Sequence, residues 1–164
     1  MGKHIVTIAL LLMAIVVGGV ALAKPAPSAP PSPPKALPKL EAVAETKLLM
    51  EGLNLSNFHG LEKLLAEKPT EAEAWKFMRG QALLIAETGN LLLIRPPKNA
   101  GESAWMERAT DMREAATALA KFAADRDYEK SRQGLVTLAG TCNRCHQTFR
   151  VPARMTPFEQ PSDK

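Results

Sequence analysis

The stretch DYEKSRQGLVTLAGTCNRCHQTF, residues 127–149, decides the fold. Its first residue, Asp127, is typical of a helix N-cap. The residues predicted to face inward recur at alternating spacings of four and three, which is the periodicity of one helix face. They are Ser131, Leu135, Leu138, Cys142, Cys145 and Phe149. The stretch is therefore predicted to be a helix with both cysteines on its inner face.

The end of this helix carries a chemical motif. Cys142, Cys145 and His146 form the pattern C-x-x-C-H, which is typical of covalent c-type haem attachment. Two thiols three residues apart can add to the two vinyl groups on one edge of a porphyrin, and the adjacent imidazole can coordinate the iron. The motif predicts one covalently attached haem c, with His146 as the proximal iron ligand.

Three other interpretations of the cysteine pair stay open. A redox-active disulfide is common for such pairs in exported proteins, but thioredoxin-like folds need strands around the motif. A zinc site would have to recruit His146 and His59 in an untypical spacing. A disulfide that staples a helical bundle is compatible with export, and it would make the chain a haem-free interaction module.

The rest of the sequence also predicts helices. Of its 164 residues, 46% are apolar and 5% aromatic, and the alternation expected of strands is scarce. Four stretches with helical periodicity lie between Leu40 and Arg150, separated by breaks near Pro69, Pro96 and Asp125. Four helices with short connections predict an all-α fold, an antiparallel four-helix bundle.

The inner face of the first helix is the least regular. Its predicted stripe consists of Val43, Met50, Leu53, Leu61 and Leu64. Asn57 interrupts this stripe, and Gly52 and Asn54 predict a kink or an early stop near Asn54.

The second and third helices have continuous inner faces. The second begins with Thr70 and Glu73 in capping-box spacing, and Gly89 on its inner face predicts a close helix contact. Its stripe is Trp75, Met78, Ala82, Ile85 and Leu92. Ser103 is the predicted cap of the third helix, whose stripe is Trp105, Ala109, Met112, Ala116, Leu119 and Ala123.

The amino-terminal 39 residues have a different composition. Residues 1–23 contain an uncharged run, Ile5 to Leu22, and end in small residues, which indicates a secretory signal peptide cleaved after Ala23. A membrane anchor is the alternative, because the run is just long enough to span a bilayer. Residues 24–39 hold seven prolines and predict an extended linker. Residues 40–151 are then the helical domain and residues 152–164 a flexible tail.

Charge excludes some partners. There are 21 Lys and Arg against 17 Asp and Glu, a net charge of +4, and the basic residues alternate with acidic ones. No basic patch indicates nucleic-acid binding. The mild excess of positive charge slightly favours acidic protein partners.

The chain from residue 40 to about 151 resembles the cytochrome c-prime family of class II c-type cytochromes. The resemblance depends on Cys142, Cys145 and His146 near the end of the fourth helix, with Arg150 one turn beyond, where the family has a basic residue. A single covalent haem in a small exported, periplasmic bundle, with no candidate nucleophile, second metal site or general acid–base pair, predicts electron transport between redox partner proteins and not an enzyme. The resemblance implies a homodimer, and the binding of nitric oxide or carbon monoxide by five-coordinate haem as the alternative function.

The sixth iron ligand distinguishes these two functions. In a continuous helix Met50 and His59 lie on opposite faces, and Met50 shares the predicted inner stripe. The pair Leu49-Met50 also resembles the low-spin branch of the family, in which a methionine of the first helix binds iron. Met50 is therefore the predicted distal ligand, although methionine is also a common core residue and a kink near Asn54 could redirect His59.

Overall fold

The computed structural model describes residues 39–98 and 101–158. The predicted signal peptide or anchor, nearly all of the predicted linker, and residues 159–164 lie outside the described residues. Within the described part the chain consists of helices and loops, with no strand. The all-α four-helix bundle is confirmed.

Four helices, α1 to α4, follow one another along the chain. Helix α1, residues 46–64, has three continuous segments: an α-helical turn Thr46–Leu49, a π-helical segment Met50–Leu55, and an α-helix Ser56–Leu64. Helix α2 is Ala72–Leu93, α3 is Glu102–Ala124 and α4 is Tyr128–Thr148.

The π-helical segment changes which residues of α1 face inward. Buried positions are Leu49, Asn54, Phe58, Leu61 and Leu65. The first spacing, five residues, is wider than one α-helical turn, because the π-helix contains an extra residue per turn. The predicted stripe of α1 assumed an unbroken period and is therefore partly wrong. Val43 precedes the helix and is 94% exposed. The irregularity predicted near Asn54 is real, but it is a π-helical segment within a continuous helix.

The predicted stripes of α2 and α3 are confirmed. All five stripe residues of α2 are buried, and so are those of α3 except Trp105, which packs against the same core from a half-buried position. Gly89 marks the close contact that was predicted. A Cβ atom there would lie 2.8 Å from the Cβ of Arg113 and 3.0 Å from the Ala109 carbonyl oxygen.

Only one of the three predicted N-caps is correct. The carboxylate of Asp127 accepts a hydrogen bond of 3.0 Å from the Lys130 backbone, as an N-cap should. The capping box at Thr70 is wrong, because α2 begins two residues later and the Thr70 hydroxyl faces the Glu71 carboxylate instead. Ser103 is not the cap of α3 either. Gly101, with φ 85°, turns the chain into the helix and places Ser103 inside its first turn.

Helices α3 and α4 both end in a Schellman motif. In α4 the Val151 amide donates to the His146 carbonyl at 2.8 Å and the Arg150 amide to the Gln147 carbonyl at 3.3 Å. The backbone of Arg150 has the left-handed conformation that this motif requires, with φ 56°. Arg126 has φ 54° in the equivalent position after α3. The motif after α4 reverses the chain, so residues 151–158 return along the bundle.

Side-chain contacts show the antiparallel arrangement. At one end of the bundle Trp105, at the start of α3, donates from Nε1 to the Leu92 carbonyl of α2 at 2.7 Å. The Trp105 ring also packs edge-on against Phe149, just after α4, at a centroid distance of 5.2 Å. At the other end the Tyr128 hydroxyl, in α4, donates to the Leu65 carbonyl that follows α1 at 3.2 Å. The start of α4 is therefore held against the end of α1 at this end of the bundle.

Among the described residues, no helix is both long enough and apolar enough to span a bilayer. The run from Ile5 to Leu22, the predicted signal peptide or anchor, was not among them.

Candidate functional site

Cys142, Cys145 and His146 occupy the last two turns of α4. The two cysteines lie three residues apart, so their side chains project from the same face of the helix. Both are half-buried free thiols, and Cys142 packs against the apolar core. Because α4 ends only at Thr148, all three side chains are held by regular helix close to its carboxyl end.

His146 has a fixed tautomer in this structure. Its Nδ1 lies 2.8 Å from the carbonyl oxygen of Ala153. A carbonyl only accepts, so Nδ1 must carry the proton, and in the neutral ring Nε2 keeps its lone pair. Nε2 is the nitrogen that a neutral imidazole in this tautomer offers to a metal.

The cysteine environment weighs against the rival interpretations. Burial, together with the nearby Cys145, raises the pKa of the Cys142 thiol to about 12. Burial also raises the pKa of Cys145, although the positive charge of Arg108 opposes the effect. Redox-active cysteines need lowered pKa values. Zinc needs further ligands, and in the described ranges no three His, Cys, Asp or Glu side chains converge.

The first helix presents a second group of polar atoms to the bundle interior. The side-chain nitrogen of Asn54 donates to the sulfur of Met50 at 3.4 Å and to the sulfur of Met112 at 3.3 Å. Asn54 is 8% exposed, and its Oδ1 is buried without a hydrogen-bond partner among the described residues. Two thioether sulfurs and one unsatisfied amide oxygen therefore meet at the π-helical segment.

The contacts between helices give the height of this group along the bundle. Trp105 and Phe149 touch, so α3 and α4 are level there. Seven residues further into the bundle, in opposite chain directions, are Met112 and Cys142. Because equal numbers of helical residues cover equal lengths, Met112 is level with Cys142. Asn54, which contacts Met112, is at the same height.

Met50 is one turn away from Asn54, toward the Trp105 end. That displacement brings Met50 close to the level of His146, which is four residues after Cys142. Counting residues along the helices thus puts Met50 and His146 at similar heights in the bundle.

Contacts at the opposite end agree. Leu65, after α1, accepts hydrogen bonds from Tyr128 and from Arg132 of α4. Met50 lies 15 residues before Leu65. The positions 15 residues after Tyr128 and Arg132 are 143 and 147. His146 lies between them.

The other two predicted site residues are on the outside. His59 is exposed and lies more than one turn beyond Asn54, so it is away from the level of His146. Arg150 is also exposed and belongs to the turn that ends α4. The structure brings Met50 to the level of the C-x-x-C-H motif and leaves His59 outside it.

Three polar groups of the site were not among the predicted site residues. The Ala153 carbonyl lies in the predicted tail, and a backbone oxygen carries no sequence signature. Asn143 occupies a variable position of the motif, yet it exchanges two hydrogen bonds with Met155. Asn54 could have been found, since a polar residue among the apolar positions of α1 is a recognisable signal.

The third and fourth helices match a known family. The family model of cytochrome c′ matches residues 100–150, about a third of the chain. This part of the chain, which carries the C-x-x-C-H motif, is similar to cytochrome c′. Comparison with curated proteins and with solved structures finds no match.

Cytochromes c′ bind haem c covalently, typically one per chain, and the two cysteines of this chain fit that attachment. The family is generally non-enzymatic. The observed donor set is also suitable: paired thiols on one helix face, an imidazole with Nε2 free to coordinate, and a thioether at the same height. The residues present therefore fit haem c.

Proposed function

We propose that this chain is an exported cytochrome with one haem c that transfers single electrons between proteins. Cys142 and Cys145 would form the thioether bonds, His146 would be the proximal ligand and Met50 the distal ligand. When bound, the haem iron supplies a one-electron couple whose potential depends on its axial ligands and on burial.

The observation that carries the proposal is the hydrogen bond from His146 Nδ1 to the Ala153 carbonyl. It holds the ring in the tautomer that leaves Nε2 for a metal, directly beside two thiols. The remaining task of the chain is to orient the ring and to limit its contact with water.

Electron transfer is supported by Met50. Residue counting puts Met50 close to the level of His146. Although Asn54 donates to the Met50 sulfur, a thioether sulfur has two lone pairs, so one remains for a metal. Ligation by Met and His raises the reduction potential, which suits an electron carrier. The π-helical segment that begins at Met50 is also of a kind frequent at functional sites.

The hydrogen bond from Asn54 to the Met50 sulfur also supports one alternative function. If Asn54 keeps the Met50 sulfur away from the iron, the distal position stays open, and the protein would bind nitric oxide or carbon monoxide. Arg150, four residues after His146, is proposed to tune the iron by its positive charge in either case.

Export is proposed on two grounds. Residues 1–23 have the pattern of a signal peptide, and the cytochrome c′ family is exported to the periplasm. A mature mass beginning at Lys24 would support cleavage, whereas an intact amino terminus in the membrane fraction would indicate an anchor. Acidic redox partners and a homodimer are further proposals.

Visible spectroscopy of the purified protein tests the function. We expect haem that stays with the chain under denaturing conditions, a low-spin spectrum, and no reaction with carbon monoxide. Met50→Ala should become high-spin and bind carbon monoxide. Met112→Ala is the matched control, since Asn54 donates to both sulfurs, and it should stay low-spin.

Each other outcome has a definite meaning. If Met112→Ala changes spin state and Met50→Ala does not, the ligand is Met112. A wild type that is high-spin and reacts with carbon monoxide would favour gas binding over electron transfer. No bound haem, in cells that contain the attachment machinery, would leave the disulfide-stapled interaction module.

A further inference from the structure

Residues 151–158, which we call the strap, are fastened to the bundle at two points. The side-chain amide of Asn143 donates to the Met155 carbonyl at 2.8 Å, and its Oδ1 accepts from the Met155 amide at 2.8 Å. Further on, the Phe158 amide donates to the Glu62 carboxylate at 2.7 Å. The Phe158 ring also lies 3.8 Å below the guanidinium of Arg132. The strap is thus tied to both α1 and α4.

The Ala153 carbonyl that binds His146 lies between two positions at which the backbone is held. On one side the Schellman motif at Arg150 reverses the chain, and on the other the two hydrogen bonds of Asn143 hold Met155. A backbone carbonyl can only be placed by its flanking residues. Ala153 itself is exposed, so water would compete for His146 Nδ1 if the strap moved away.

We propose that Asn143 is a positioning residue for His146, acting through the strap. By holding Met155 it keeps the Ala153 carbonyl on Nδ1, and so fixes the tautomer, the ring orientation and the donor strength of the proximal ligand. This inference rests on the proposed function, in which His146 binds the haem iron.

The expected effect follows from the electron density on the ring. A carbonyl that accepts from Nδ1 makes Nε2 a stronger donor, which stabilises the ferric state relative to the ferrous state. Loss of an outer partner of this kind typically changes metal affinity about tenfold or more. A tenfold change in preference between the two oxidation states corresponds to about 59 mV for one electron.

The test uses the full-length haem-loaded protein with Asn143→Ala. We expect its reduction potential to rise by about 59 mV, and the Nδ1 proton of His146, followed by NMR of nitrogen-labelled histidine, to exchange faster with water. Asn143→Leu, which has a side chain of similar size, should behave in the same way. It keeps the test valid if Asn143→Ala does not fold.

Gln147→Ala is the matched control. It removes another amide beside His146, one with no side-chain hydrogen bond in the described part of the chain, and should retain the wild-type potential and exchange rate. Haem-loaded Asn143 variants that match this control would overturn the inference alone, whereas a chain that never acquires covalent haem would overturn the proposed function.

Discussion

The side-chain nitrogen of Asn54 donates to the sulfur of Met112 at 3.3 Å, and so links the π-helical segment of α1 to the middle of α3. The same nitrogen reaches Met50 within its own helix. Sulfur is a weak acceptor, and Asn54 Oδ1 is buried without a partner among the described residues. The two hydrogen bonds of the Asn54 side chain therefore only partly replace the hydrogen bonds that it would make with water in the unfolded chain.

Replacing Asn54 tests this balance. Asn54→Leu should change the free energy of unfolding by less than about 1 kcal/mol, because the unpaired oxygen disappears together with the two weak hydrogen bonds. Asn54→Asp should lower it by about 2 kcal/mol or more, since it puts a charge in the same buried place. Urea unfolding measures both. Equal stabilities of the two variants would show that position 54 is hydrated.

The contact at Gly89 predicts opposite effects of alanine at two glycines of α2. Gly89→Ala should destabilise the protein by about 1 to 3 kcal/mol, because the new methyl group meets backbone atoms of α3. Gly80 lies in the same helix, and no atom of the described structure is within 4 Å of its Cβ position. Gly80→Ala should therefore stabilise by about 0.5 to 1 kcal/mol. Denaturant unfolding of both variants decides the matter, and a stabilising Gly89→Ala would mean that α2 and α3 are further apart.

The left-handed arginine after α3 predicts a stabilising substitution. Arg126 has φ 54°, a conformation that costs a residue with a Cβ atom about 1 to 2 kcal/mol. Arg126→Gly should raise the free energy of unfolding by about 0.5 to 1 kcal/mol after the greater entropy of the unfolded glycine is included. Lys121→Gly, inside α3, is the control and should lower it by about 1 kcal/mol. Two equal losses would contradict the Schellman geometry.

Asp127 predicts a pH-dependent stability. Its hydrogen bonds to the side chain and the backbone of Lys130 lower its pKa below the usual value. A lowered pKa in the folded state means that the contribution is present above the unfolded pKa, about 3.9, and is lost as the pH falls further. Asp127→Ala should therefore melt several degrees below the wild type at pH 7, with a much smaller difference near pH 2.

The matched control for this effect is Asp125→Ala. Asp125 lies at the end of α3, and its side chain makes no hydrogen bond within the described ranges. Thermal melts at both pH values should show little difference from the wild type. If both aspartate variants lose the same stability at pH 7, net charge and not the cap is responsible.

Sequence periodicity was sufficient where the helices are regular. The inner faces of α2 and α3 follow an unbroken α-helical period, so counting residues identified nearly every buried position. In α1 the same counting did not identify all the buried positions. The π-helical segment adds one residue to the helix, and residue propensities do not predict this. The start of α3 was also predicted wrongly. The helix begins after Gly101 and not after Ser103, because the left-handed conformation of Gly101 sets the direction in which the chain enters the helix.

The candidate site divides in the same way. The C-x-x-C-H motif and Met50 could be predicted from the sequence, because they are recognised by residue type and spacing. The link between His146 and Ala153 was not, since it depends on a turn, on a returning strap and on a backbone atom. Contacts made by the main chain, or across 12 residues of folded chain as between Asn143 and Met155, need coordinates to be found.

The π-helical segment lets α1 hold one more residue without changing which side its two ends present to the core. Leu49 and Asn54 are five residues apart and both buried, whereas an unbroken α-helix would bring residues four apart to the same side. Removing one residue between Met50 and Asn54 would restore that spacing of four, so Leu49 and Phe58 would keep their packing. The loss of one residue in this turn is therefore absorbed within the turn and leaves the core as it is.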